Sequence, residues 1–168
     1  MHLQLRSKDK KDFPGLFDIT AAGHILSDET IGDGVREIEE ELGIAVSFEE
    51  LISIGVIKDQ IHENGFFDNE RCHVFLYNAE TTIETLYKLQ KEEVSGVVTA
   101  DFQDFYKLCR GLEKKIAVEG FGVAEDGRKT AAGKTITTND LVPHSPEYLL
   151  QVTDLISKKL KDRKSFWK

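Results

Sequence analysis

The stretch that decides the reading of this chain is Arg36-Glu37-Ile38-Glu39-Glu40-Glu41-Leu42-Gly43. Val35, Ile38 and Leu42 recur at i, i+3 and i+7, an apolar stripe that predicts a helix over residues 31–42. Gly43 is suited to close it, because glycine takes the left-handed conformation after a helix without a Cβ penalty. Glu37, Glu40 and Glu41 then share one face at i, i+3 and i+4. Like charges at that spacing destabilise a helix by roughly a few tenths of a kcal/mol each. Glu40 and Glu41 also occupy the last turn, where the helix dipole favours cations. A bound cation relieves both conflicts, and clustered carboxylates suit a hard ion such as Mg²⁺ or Mn²⁺. The competing reading is a solvated acidic face.

The charge of the whole chain points to the same place. Its 168 residues carry a net charge of −8, with 40% apolar residues, enough for one domain with a core. Residues 28–50 hold nine acids and one base, so the remainder is neutral. The acidic balance excludes a general nucleic-acid binder, whose footprint is basic. No apolar run approaches the ~20 residues that span a bilayer, and the first residues lack the apolar core of a signal peptide. Cys72 and Cys109 form no CxxC pattern and fit a reducing cytoplasm, as two buried thiols.

Outward from the helix, residues 2–6 alternate polar and apolar and predict a strand. Residues 7–15 form a charged turn closed by Pro14-Gly15, and 16–25 are a second extended segment. Residues 51–61 and 72–78 predict two strands joined by a polar loop with Asn64-Gly65. Residues 86–100 are partly extended, and 101–110 form a short helix. Residues 116–136 form a hairpin or long loop turning at Glu125-Asp126-Gly127-Arg128. Ser145-Pro146 opens a last helix, with Ser as N-cap and Pro at its first position. Strands interleaved with three helices predict an α/β or α+β sandwich with helices packed on a mixed sheet.

Gly23, five residues and Glu29, followed by Arg36-Glu37-Ile38-Glu39-Glu40-Glu41-Leu42-Gly43-Ile44, resemble the Nudix box. The second half matches throughout. The first half departs by one residue, since six residues rather than seven separate Glu29 from Arg36. A residue deleted near the start of the helix accounts for this better than a shifted register. The segments Gln4-Leu5-Arg6-Ser7, Pro14-Gly15-Leu16-Phe17-Asp18-Ile19 and Gly23-His24 are similar to Nudix proteins related to isopentenyl diphosphate isomerase. The resemblance covers about residues 2–110.

The resemblance implies a single domain over 1–168, an α/β/α sandwich around a mixed sheet, with a C-terminal hairpin and helix extension from about residue 112. It implies hydrolysis of an organic or nucleoside diphosphate, with Mg²⁺ or Mn²⁺ held by Glu37, Glu40 and Glu41. Arg36 would pair with Glu29; Gly23 would give a tight turn and Gly43 the helix end. Glu37, Glu40, Arg36 and Glu93 are the expected catalytic residues. Glu37, Glu93, Glu63 and Glu70 all stay open as the general base. Arg6, Lys8, Phe17 and Arg71 are candidates for substrate binding, with Lys10 and Lys11 beside them. His24 reads as a structural hydrogen-bonding residue, and His62, His73 and His144 show no metal-ligand spacing.

Two other functions compete. The isomerases use a cysteine acid just before the Gly-His segment, where this chain has Ala21-Ala22. A non-catalytic diphosphate-binding module is the other, and the intact Arg-Glu…Glu-Glu half speaks against it. The chain also begins inside a strand. That predicts either a shortened N-terminus or a sheet completed by a partner, with a homodimer as the partner to test.

Overall fold

The computed structural model describes residues 1–63 and 65–165, and the side chains of all of these except 63 and 163–165. The predicted strand is β1 (His2–Arg6), followed by a short β2 (Phe17–Ile19). The acidic helix is α1 (Val35–Leu42), preceded by a 3₁₀ turn over Ile31–Gly34. A long hairpin, β3 (Ile52–Glu63) and β4 (Phe66–Leu76), leads to a one-turn α2 (Ile83–Leu86) and β5 (Val94–Ala100). Then come α3 (Phe102–Cys109), the hairpin β6 (Ile116–Val123) and β7 (Lys129–Ile136), and α4 (Pro146–Ser165).

Five strands form one sheet in the order β2-β1-β5-β6-β7, and β3-β4 form a separate two-stranded sheet. Every strand pair is antiparallel. The parallel component expected of a mixed sheet is confined, among the described residues, to an isolated bridge between Phe17 and Leu141. Successive side chains of a strand face opposite ways, yet Val97 and Val98 of β5 are 0% and 3% exposed. The central sheet is therefore covered on both faces, which makes a three-layer sandwich. Val97 packs with Leu42, Ile38 and Phe121 beneath α1, and Val98 packs with Phe105 and Leu108 of α3. A third cluster joins Ile57 of β3 to Tyr148, Val152 and Ile156 of α4.

Three expectations change on contact with the structure. β1 is an interior strand, paired by β2 on one side and β5 on the other, so its edge is closed by the chain's own residues. The polar loop expected between residues 61 and 72 is mostly ladder: Ile61 pairs with Asp68, and Lys58 with Arg71. Of the expected Asn64-Gly65 turn, residue 64 lies outside the described residues and Gly65 has φ +85°. The third change is at the start of α1. Thr30 accepts from and donates to Asp33 in a capping box, and the chain enters α1 through the 3₁₀ turn. The α-helix proper therefore begins at Val35 rather than at residue 31.

Candidate active site

Arg36 is the hub of the α1 face. Its Nη2 lies 3.0 Å from Glu29 Oε1, and its Nη1 lies 2.7 Å from Glu37 Oε1 and 3.2 Å from Glu40 Oε2. These three are the carboxylates within ion-pair distance of Arg36 among the described residues. Glu29 also accepts the Leu26 backbone N–H at 2.9 Å, which folds the preceding loop back onto the helix. The guanidinium fork suits this work, since its five donors lie in a fixed plane. Gly23 closes the other side: a Cβ built on it would stand 2.3 Å from Glu37 Cγ. Only glycine lets that backbone approach the carboxylate-bearing side chain.

The C-terminal end of α1 brings a second set of charges together. Gly43 takes φ +67°, the left-handed conformation expected after the helix. No basic residue occupies the last turn. Instead the Leu42 and Glu41 carbonyls accept the backbone N–H groups of Lys88 and Gln90 at 2.8 and 2.9 Å. That pairing draws the following segment alongside and sets Glu93 beside Glu41. The Glu93 carbonyl accepts Ser7 N–H at 2.9 Å, and the Glu93 carboxylate is ion-paired to Lys10. Burial pushes the Glu41 carboxyl up to about 7; Lys10 opposes the shift, Glu93 and Glu37 reinforce it, and Arg6 opposes it. Carboxylate oxygens are the donors that a hard divalent cation prefers.

These groups open into one cleft of about 1980 Å³, lined by Arg6, Lys10, Glu37, Glu41 and Glu93 among others. The family model of the NUDIX domain matches residues 2–117. The chain belongs to the Nudix family. A Nudix hydrolase of Clostridium acetobutylicum is 42% identical over 148 residues, which is 86% of this chain and 70% of that protein. Nudix hydrolase 3 of Arabidopsis thaliana is 37% identical over 107 residues, 61% of this chain and 14% of that protein. An isopentenyl-diphosphate Delta-isomerase of Saccharopolyspora erythraea is 32% identical over 104 residues, 61% of this chain and 52% of that protein. Nudix hydrolases are generally pyrophosphohydrolases that bind diphosphate substrates and typically depend on a divalent metal.

Within the Nudix cleft the expected residues do not all meet. Glu37, Glu41 and Glu93 line the cleft and act on one another electrostatically without closing into a tight ligand set, while Glu40 is more exposed and leans on Arg36. Arg6 lines the cleft, with Nη1 3.2 Å from Asp18 Oδ2 and Nη2 donating to the Asp12 carbonyl at 2.8 Å. Lys8 is exposed and outside the cleft lining; Lys10, two residues on, is inside it. Phe17 is 2% exposed and belongs to the core, because β2 pairs with β1 and turns this ring inward under Lys134. It is not available to stack on a substrate. Arg71 sits on β4 and lines the cleft, although strand alternation gives it a more exposed position than Asp68, Glu70 and Cys72. Glu70 belongs to the strand rather than a loop, and the side chain of Glu63 lies outside the described residues.

Two groupings had no signal in the sequence. His24 Nε2 lies 2.6 Å from Glu70 Oε1, and His24, Asp68 and Glu70 bring ligand atoms within 4.8 Å of one another. Among the described residues they are the one group of three or more His, Cys, Asp or Glu side chains so placed. The second grouping is His144, from the segment before α4, held between Asp18 and Asp59 at 2.8 and 2.6 Å. The first depends on the register of β4 and the second on where the segment before α4 is laid down, neither of which local spacing encodes. No helix among the described residues is long and apolar enough to cross a membrane.

Proposed function

We propose that this Nudix hydrolase is a Mg²⁺- or Mn²⁺-dependent pyrophosphohydrolase of an organic or nucleoside diphosphate. The observation that carries the reading is that Glu37, Glu41 and Glu93 line one cleft together with Lys10 and Arg6, close enough for Glu41 to feel all four charges. Acids alone would repel a diphosphate, and bases alone would bind it without activating water. Glu37, Glu40 and Glu41 would hold the metal, which when bound neutralises diphosphate charge and polarises its phosphoryl oxygens. The set of His24, Asp68 and Glu70 is the other donor group in the cleft; its imidazole favours a transition metal over Mg²⁺.

The chain's own residues supply the rest. Arg36 spaces Glu37 from Glu40 and fixes both to the Glu29 loop. Lys10 and Arg6 provide positive charge for the diphosphate oxygens. A diphosphate arriving beside Lys10 competes with Glu93 for the ammonium. The freed Glu93 carboxylate then accepts the proton of an attacking water. Glu70 is a weaker base candidate because His24 already engages it. Two free thiols, Cys72 and Cys109, accord with a cytoplasmic setting.

The test is a screen of diphosphates with Mg²⁺ and Mn²⁺, following phosphate-containing products, with Glu41→Gln and Glu93→Gln beside the wild-type chain. Nucleoside diphosphate sugars, dinucleotides, thiamine diphosphate, coenzyme A and prenyl diphosphates form the panel. Metal-dependent hydrolysis of at least one, lost in Glu41→Gln, is the expected result. Isopentenyl diphosphate belongs in the panel too. Sustained allylic product from it would overturn the hydrolase reading, which rests partly on Ala21-Ala22 standing where the isomerases place their cysteine.

A further inference from the structure

The family match ends at residue 117, yet a residue well beyond it reaches the cleft. His144 Nδ1 lies 2.6 Å from Asp59 Oδ2, and Nε2 lies 2.8 Å from Asp18 Oδ1. The three side chains are 13%, 5% and 4% exposed. A carboxylate only accepts hydrogen bonds, so a ring with a carboxylate on each nitrogen carries a proton on both. The remaining oxygens are also engaged. Asp59 Oδ1 accepts Ser145 N–H and Gln60 N–H, both at 2.9 Å. Asp18 Oδ2 accepts Arg6 Nη1 at 3.2 Å, and Asp18 Oδ1 also takes Ile19 N–H at 2.8 Å.

Arg6, Asp18, Asp59 and His144 all line the cleft. Two bases balance two acids, so this wall is neutral. With His144 uncharged, two carboxylates would face one guanidinium, and the wall would carry a net negative charge. Asp18 would then hold Arg6 as its only cation. A cleft meant for an anion cannot bear that without losing affinity.

We propose that His144 is a positioning residue for substrate affinity: it neutralises Asp18 and Asp59 and so leaves the charge of Arg6 available to a diphosphate. The inference rests on the diphosphate reading above. His144 acts through the acids and Arg6 and does not touch the reacting atoms, so it governs KM more than kcat.

The experiment measures Mg²⁺-dependent binding of methylenebisphosphonate, a non-hydrolysable diphosphate, to the full chain by calorimetry. The chains compared are wild type, His144→Gln, Asp59→Asn and the double variant Asp59→Asn/His144→Gln, each checked for folding by circular dichroism. His144→Gln is expected to weaken binding about tenfold or more, with KM for a hydrolysed diphosphate rising by the same factor. Its kcat should stay within about threefold of wild type. The double variant, which removes one acid and lets two neutral amides pair, is expected to recover most of the affinity. Unchanged affinity in a folded His144→Gln overturns the proposal. So does a double variant as weak as the single one, the mark of a merely structural contact.

Should His144→Gln fail to fold, Asp59→Asn alone decides. It leaves the wall more positive, so binding that is no weaker supports the proposal and weakened binding overturns it. A wild-type chain that binds the bisphosphonate but hydrolyses no diphosphate defeats the hydrolase reading, while the affinities still decide the role of His144. A wild-type chain that does not bind it overturns both.

Discussion

Gly23 packs so tightly on Glu37 that any Cβ would stand 2.3 Å from the Glu37 Cγ. The same glutamate is held from the other side by Arg36 at 2.7 Å. Glu37 is therefore constrained on two sides, by a backbone that has no side chain and by a guanidinium. Gly23→Ala must move either the loop or the carboxylate. Because Gly23 lies in an exposed loop away from the core, the damage should fall on catalysis. The expected result is a loss of about a hundredfold in kcat/KM, the cost of a displacement of about 1 Å at a reacting group. Thermal melting should shift only slightly. A Gly23→Ala chain with wild-type kinetics would show that the contact constrains nothing.

Glu41 makes metal binding depend on pH in a stated direction. Its carboxyl, pushed up to about 7 by burial and by Glu93 and Glu37 against the pull of Lys10 and Arg6, is largely protonated in mildly acidic solution. A metal must displace that proton. Apparent affinity for Mn²⁺ should thus climb as pH rises towards about 7 and level off above it. Glu41→Gln should remove the climb as well as weaken binding. Calorimetric titration in buffers of different ionisation heats checks this directly, through the proton released per metal. If wild type and Glu41→Gln release the same number of protons, Glu41 is not a ligand.

The two groupings that the sequence concealed differ in kind from those it displayed. The α1 face was legible because helical spacing alone places Glu37, Glu40 and Glu41 together, and Gly43 follows from the end of the helix, while Gly23 was legible through the family resemblance. Glu93 was legible only through the family resemblance; what brings it to Glu41 is the backbone pairing of Gln90 with the Glu41 carbonyl. The long hairpin was cut short because Glu63, Asp68, Asn69 and Glu70 look like loop residues. They are strand because β3 and β4 form their own two-stranded sheet, in which Asn69 falls on the water-facing side while Asp68 and Glu70 alternate to the side that lines the cleft. Polar residues carry little penalty on a face open to water or on the wall of a wet cleft. Phe17 was ambiguous for the opposite reason, since an aromatic beside a motif serves a core or a ligand equally well. His144 could not be found at all: its partners Asp18 and Asp59 are 126 and 85 residues away in sequence.

That buried imidazolium also predicts the pH dependence of stability. Burial opposes its charge, but the hydrogen bonds to Asp18 and Asp59 outweigh burial and raise its pKa from 6.5 to about 9. A raised pKa means that the folded chain holds the proton more tightly than the unfolded one. The stabilisation is therefore complete below about 6.5 and is lost as pH rises through about 9. Its size is on the order of 3 kcal/mol. The wild-type chain should melt progressively lower between about pH 6.5 and 9, and His144→Gln should be less stable at pH 6 but nearly flat across that range. Parallel melting curves for the two chains would mean that the bridge is neutral.

The thiols give a final prediction that bears on the cleft wall itself. Burial, with Glu70 and Asp59 adding to it, pushes the Cys72 thiol up to about 12, and burial pushes Cys109 up to about 11. The thiolate is the reactive form, and at neutral pH it is a fraction on the order of one in ten thousand or less at both sites. Folded protein should therefore react far more slowly with a disulfide reagent than an ordinary cysteine, and denaturation should release both groups at once. Cys72 adds a sharper test because Asp59 and Glu70 both raise it. Asp59→Asn should lower its pKa and quicken its labelling, while Cys109, on α3 and away from that acid, should be unmoved. Equal acceleration of both would indicate general loosening of the fold rather than the loss of one charge beside Cys72.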